Sequence, residues 1–292
     1  MELRHLRYFI VVAEELHFTR AAARLNIAQP PLSQQIQALE REIGANLFHR
    51  IGRRIELTDA GKLFLADARS LIANLERAVE RARRARAGET GCIRVGFTES
   101  ASFNKIVTTA IRGYRAHYPE VELTLTESQS TALARALATD EIDVAFLRPP
   151  VSKDKRLTFK MLKQEKMVVA LPAGHSLAVD GPINLSELAG ETFILYPRSN
   201  GSGLSDLVVS ACLAAGFTPE AGQHTPQLSS TINLVAAGLG IAIVPETMRQ
   251  LQSHQVFYRA LADGPAAVLG LAYRKDERSA PVLNFISQVK PA

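Results

Sequence analysis

Apolar side chains recur at helical spacing along the first 87 residues, and beyond them they gather into short runs separated by helical stretches. Leu6, Phe9, Ile10 and Ala13 share one face of a helix expected over about residues 3–15. Phe18, Ala21, Ala22 and Leu25 share one face of a shorter helix, and Asn26-Ile27-Ala28-Gln29 suits only a turn. Pro30 and Pro31 then open a second helix, where proline is tolerated because first-turn N–H groups lack an intrahelical acceptor. Leu32, Ile36, Leu39 and Ile43 follow at spacings of four, three and four, which predicts one buried stripe. The opposite face carries Ser33, Gln34, Gln37 and Arg41. The pair reads as a helix-turn-helix whose second helix is apolar inward and hydrogen-bonding outward. Such a surface enters a major groove and reads base edges.

Leu47-Phe48-His49-Arg50 and Ile55-Glu56-Leu57-Thr58 flank Ile51-Gly52-Arg53-Arg54, which predicts a β-hairpin. Its tip carries Arg50, Arg53 and Arg54, and a basic hairpin beside a reading helix is a wing that touches phosphates or enters a minor groove. Thr58-Asp59 caps a long helix that runs to about residue 87. Phe64, Ala68, Leu71, Leu75, Ala78, Ala82 and Ala85 recur along it at spacings of four and three, a heptad seam. A solitary helix cannot bury such a seam, so a homodimer through it is expected. Two identical reading heads then require a roughly two-fold symmetric DNA site.

Gly88-Glu89-Thr90-Gly91 ends the long helix. Strands are expected at 92–97, 121–126, 142–147, 167–171, 193–196, 241–244 and 267–273. Helices are expected at 101–117, 130–139, 203–216, 227–238 and 280–289. Two such strand–helix sets imply two α/β subdomains with a cleft between them.

Charge sharpens the division. The first 87 residues hold 15 Lys and Arg against 10 Asp and Glu, whereas the remaining 205 balance at 19 of each. All of the +5 net charge lies in the first third, which points to a polyanion partner for that part. No apolar run approaches membrane-spanning length, and Met1-Glu2-Leu3-Arg4-His5 lacks the basic-then-apolar pattern of an export signal. Two distant cysteines, Cys92 and Cys212, suit a reducing cytoplasm, and the seven histidines show no ligand spacing, so neither metal nor cofactor is expected.

Hydroxyls gather where strands give way to helices: Thr98, Ser100 and Ser102; Ser128, Ser130 and Thr131; Ser199, Ser202 and Ser205; Thr225, Ser229, Ser230 and Thr231. Helix N-termini beyond the carboxyl ends of strands bind small anions, and Arg148 after its strand would pair with a carboxylate. Helix capping alone accounts for many of these Ser and Thr. Catalytic patterns are poor. Gly201-Ser202-Gly203 does not fit a nucleophile elbow, Gly238-Leu239-Gly240 precedes a strand instead of following one, and His175 and His224 have no evident carboxylate or nucleophile partner.

On Leu6-Arg7-Tyr8-Phe9, Phe18-Thr19-Arg20-Ala21-Ala22, Gln29-Pro30-Pro31-Leu32-Ser33-Gln34-Gln35-Ile36, Leu47-Phe48 and Leu57-Thr58-Asp59-Ala60-Gly61, the chain resembles LysR-type transcriptional regulators. Ile142-Asp143-Val144-Ala145-Phe146 and Leu234 to Ile241 resemble that family's effector domain more loosely. The runs Met1 to Phe9 and Ala28 to Ser33 are most similar to the branch controlling aromatic-compound catabolism. The resemblance implies an all-α winged helix-turn-helix with a β wing and long linker helix, then a periplasmic-binding-protein-like α/β effector domain of two subdomains. The expected boundaries are 1–58 for DNA binding, 59–87 for the linker and 92–292 for the effector. The last divides into subdomain I (about 92–161 plus 267–292) and subdomain II (about 162–266).

The resemblance further implies a tetramer of two dimers on double-stranded promoter DNA, contact with RNA polymerase, and a small inducer that is an aromatic acid or ring-cleavage carboxylate. Gln29, Pro30, Pro31, Ser33 and Gln34 would contact DNA from the helix and Arg50, Arg53 and Arg54 from the wing. Gln34 stands where relatives often carry Arg, which favours adenine over guanine. Glu99, Ser100, Ser130, Arg148, Pro197, Ser199 and Gln227, with Ser202, would line the effector pocket. Glu99 replaces a small hydroxyl residue common at that position, so either it turns from the cleft or the ligand is not a carboxylate. The other class open to the chain is a cytoplasmic small-molecule-binding protein or enzyme with an accessory helical domain.

Overall fold

The computed structural model describes all residues except 52–53, 150–153, 197–202, 226, 252–253 and 292, and only the backbone of residues 50, 51 and 54. The chain forms two compact units, residues 1–84 and 85–292.

In the first unit, α1 (Leu3–Glu15), α2 (Phe18–Arg24) and α3 (Gln29–Ile43) turn their apolar stripes onto one core. Phe9, Leu32, Ile36 and Leu39 are fully buried there. Ile43, expected to continue the stripe, is 37% exposed because α3 ends one residue later at left-handed Gly44. Asn26 makes the α2–α3 turn with φ 55°, a left-handed conformation that a short polar side chain tolerates. His5 ties α1 to α3: its Nδ1 accepts from the Glu2 N–H at 3.2 Å and its Nε2 donates to Gln35 Oε1 at 2.6 Å.

β1 (Phe48–Ile51) and β2 (Arg54–Leu57) pair antiparallel as the expected hairpin. Glu40 on α3 anchors its root, accepting from the Leu47 N–H at 2.8 Å and the Phe48 N–H at 3.1 Å. Thr58 accepts from the Gly61 N–H at 2.9 Å and so caps α4 (Asp59–Ala87). A Cβ on Gly61 would lie 2.1 Å from the Leu47 carbonyl oxygen, so only glycine lets α4 start this close to the hairpin.

The heptad seam divides. Phe64 and Ala68 pack into the unit's own core, Ala68 fully buried and the Phe64 ring 5.2 Å from Phe9. Ala68 is thus spent on the unit's own core, and Phe64 is half-buried against it. Leu71 is 48% exposed, Leu75 half-buried and Ala78 exposed. The reason is length: the three-helix core reaches no further along α4 than Ile72.

The second unit is built on a seven-stranded sheet. The path runs β10 (Val256–Ala260), β6 (Leu157–Pro172), β11 (Ala266–Arg274), β5 (Val144–Leu147), β3 (Gly91–Phe97), β4 (Val121–Glu127), and β9 (Ala242–Pro245) also pairs with β6. β3 is parallel to β4 and β5, and the other pairings are antiparallel. β6 is shared by two halves. Residues 157–166 pair with β11 in the first half, and residues 167–172 pair with β9 and β10 in the second. Only its second part was expected, because Lys160, Lys163, Gln164, Glu165 and Lys166 hide the first from an apolar count.

α6 (Lys105–His117), α7 (Ser130–Ala138) and α10 (Ala280–Gln288) accompany the first half, whose core joins Ile93, Val95, Phe146, Leu271 and Phe285. Tyr114 sits in it and donates to the Pro281 carbonyl at 2.8 Å, and burial pushes its phenol up to about 12. β7 (Thr192–Leu195) and β8 (Glu220–His224) form a separate parallel pair in the second half, beside α8 (Gly203–Ala214) and α9 (Leu228–Ala236). Gly240, at φ 146°, passes so near β7 that a Cβ would sit 2.5 Å from the Thr192 carbonyl oxygen. The helix expected over 101–117 is broken into α5 (Glu99–Ser102) and α6, because the Asn104 side chain accepts from the Ile106 N–H and starts a new helix. His175, expected to lack a carboxylate partner, bonds Glu191 Oε2 at 3.1 Å and holds a loop.

Candidate functional site

Two surfaces collect the expected site residues. On α3, Gln29, Pro30, Pro31 and Gln34 are exposed and Ser33 is half-buried, while Leu32, Ile36 and Leu39 are turned inward. Gln37 and Arg41 extend the outward face by further turns. Prolines at 30 and 31 remove two N–H groups from the first turn, and the His5–Gln35 bond holds the helix from behind. Beyond the two prolines, the outward face of α3 is thus polar and exposed within its unit. Of the wing arginines, Arg53 lies outside the described residues, and for Arg50 and Arg54 the described part is the backbone alone.

The second surface is a cavity of about 340 Å³ in the 85–292 unit, at the carboxyl ends of β3, β4 and β5 and the N-terminus of α9. Glu99, Ser100, Ser130, Arg148 and Gln227 all line it, joined by Thr98, Ser128, Ser205 and Leu228. Pro197, Ser199 and Ser202 lie outside the described residues. Gly203 also lines it, as do Glu127, Gln129, Tyr196 and Leu204, which were not singled out in the sequence.

Both anion receptors expected here already hold an anion. Arg148 is 3% exposed and donates through Nη2 to Glu165 Oε2 at 2.8 Å and through Nε to the Ser100 hydroxyl at 2.8 Å. Glu165, 2% exposed, also accepts from the Thr247 N–H at 3.0 Å, so one carboxylate on β6 ties the strand end of the first half to the turn after β9. At α9, the Glu99 carboxylate fills the helix N-terminus. It accepts from the Leu228 N–H at 2.7 Å, the Ser229 N–H at 3.0 Å and the Ser229 hydroxyl at 2.7 Å. Glu99 thus turns toward the cleft but spends its charge on the protein itself.

Two polar atoms of the wall remain unmatched among the described residues, Arg148 Nη1 and the Tyr196 hydroxyl. Burial pushes the Tyr196 phenol strongly up, so it stays protonated; the nearby Thr231 hydroxyl donates to the Gln227 carbonyl at 3.1 Å. Other hydroxyls, expected as possible helix caps, donate to backbone carbonyls instead of accepting from first-turn N–H groups. Ser102 donates to the Glu99 carbonyl and Ser205 to the Tyr196 carbonyl. Glu165 escaped notice because Lys-Gln-Glu-Lys looks like a solvated strand. The one clue was that a buried Arg148 needs a buried carboxylate.

Comparison with known proteins agrees with this division. Residues 3–62 match the model of the bacterial regulatory helix-turn-helix protein, lysR family, and residues 86–292 match the LysR substrate binding domain. The chain is 37% identical to the HTH-type transcriptional regulator BudR of Raoultella terrigena, over 98% of this chain and 99% of that protein. It is 37% identical to the HTH-type transcriptional regulator CatR of Pseudomonas putida, over 96% and 95%. Its fold is similar to full-length CbnR complexed with its target DNA, with a TM-score of 0.84 and 26% identity over 99% of this chain and 98% of that one.

Proposed function

The chain belongs to the LysR family of bacterial transcriptional regulators, and from that premise we propose that it grips promoter DNA through α3 and the β1–β2 wing and adjusts its grip to a small effector in the cavity. The observation that carries the first half is the outward face of α3, polar along its length and backed by a closed core. Phosphate contacts from the wing position the unit, and Gln29, Ser33 and Gln34 carry base contacts. The protein works in the cytoplasm as a homodimer through the outer part of α4, or as a tetramer of two such dimers, beside RNA polymerase as an activator. Dimerisation is supported by the stripe of exposed Leu71, half-buried Leu75 and exposed Ala78.

The effector lies against Arg148, Ser100 and Ser130. Its binding favours one relative pose of the two halves joined by β6, which requires tighter binding to that pose than to the other. The expectation of an aromatic or ring-cleavage carboxylate rests on the runs Met1 to Phe9 and Ala28 to Ser33 and on Arg148. The geometry favours a small oxygen-bearing molecule over a second anion, because Glu165 and Glu99 already fill the anion contacts.

Selection of binding sites from a pool of random duplexes tests the DNA half. Enrichment of a site with roughly two-fold symmetry, lost at high salt, is expected. Failure to enrich any sequence would remove α3 as a reader.

A further inference from the structure

Resting on the reading of the cavity as an effector site, we propose that Glu99 is a tethered anion that closes this site to carboxylates. It directs selection toward an uncharged molecule.

Four observations converge on this. The N-terminus of α9 opens into the cavity with two N–H groups and the Ser229 hydroxyl, the donor set of an anion site. All three donors point at one carboxylate that the chain supplies. That carboxylate comes from the start of α5, 129 residues from Leu228, so the contact is tertiary and not a local cap. The only cation among the described residues of the wall, Arg148, is charge-matched by Glu165 at 2.8 Å, both being almost wholly buried. Arg148 itself lines the cavity, while its Nη1 has almost no accessible surface and no acceptor among the described residues. A ligand carboxylate in the cavity would add a negative charge beside Glu99 and Glu127, and the one described cation of the wall, Arg148, is already matched by Glu165. A neutral carbonyl or hydroxyl oxygen enters the cavity without that repulsion.

The tethered carboxylate also outcompetes a free one, since its local concentration is set by the fold and not by the solution. Its removal should turn α9 into a site for external carboxylates. Full-length wild type, Glu99→Ala and Glu99→Gln would be titrated with acetate and benzoate, with acetamide and benzamide as neutral counterparts and chloride fixing ionic strength. Binding would be followed by the thermal unfolding midpoint.

The Ala variant is expected to gain a saturable upward shift with acetate or benzoate, at least about tenfold tighter than any wild-type response. The Gln variant still fills the space and should gain none. An Ala variant that unfolds in chloride and recovers in acetate gives the same support. If it stays unfolded in both, Glu99→Asp carries the test, because a side chain one methylene shorter withdraws the anion: a gained acetate response supports the proposal and none overturns it. A wild type that already binds either carboxylate as tightly as the Ala variant overturns the role of Glu99 and leaves the cavity as the effector site. No response of any variant to the acids or the amides overturns both.

Discussion

Single side chains in the 85–292 unit carry charge where water does not reach, and each has a matched partner. Arg148 and Glu165 are the clearest pair. Arg148→Ala leaves Glu165 buried and unpaired, so an unfolding free-energy loss of about 3–5 kcal/mol is expected from chemical denaturation. Glu165→Gln in the same background should recover part of it; no recovery would mean that Arg148 acts through packing alone. Asp143 gives a pH signature. Burial by itself would raise its carboxyl, but Arg94, through side chain and backbone N–H, and Arg274 outweigh burial and hold it below the usual carboxylate range. A depressed carboxyl contributes stability that is complete above its unfolded value, about 3.9, and is lost as pH falls through the lower folded value. Asp143→Asn should therefore be less stable than wild type at neutral pH, with the gap shrinking below about pH 4. A gap constant down to pH 2 would assign the effect to shape instead of charge.

Glu99 shows why sequence reading stops at this scale. The choice between turning away and facing the cleft depended on an α9 N-terminus 129 residues distant, and no local pattern encodes that approach.

Elements were legible where one stripe is buried and the other wet. α1, α2 and α3 each do this, and so does the start of α4, so spacing alone located them. β8 is exposed at every position and offered no alternation to find. The break between α5 and α6 turns on one Asn104 cap inside an otherwise helical run. The hairpin was legible from its turn residues and arginines, and its role is testable without its side-chain geometry. Arg53→Ala with Arg54→Ala should weaken binding to all duplexes alike and flatten the slope of log affinity against log salt, by roughly 0.9 for each phosphate no longer neutralised. An unchanged slope would remove the wing from the DNA-binding surface.

At the scale of the whole molecule, the split seam on α4 separates folding from assembly. Phe64 and Ala68 pack with the first unit's core, whereas Leu71 and Leu75 are not part of it. Leu71→Asp with Leu75→Asp is expected to convert oligomers to monomers in light scattering while the thermal midpoint of the first unit changes little. Oligomers that persist would place the interface elsewhere. The β11 strand carries a different consequence. It returns from residues 266–274 to lie between β5 and β6, so the first half of the second unit has no central strand until nearly all of the chain exists. The first unit needs only residues 1–84. On a ribosome the DNA-reading head can therefore finish folding while its sensor is still an open sheet, and a polypeptide stalled near residue 260 would be a reader with nothing to listen to.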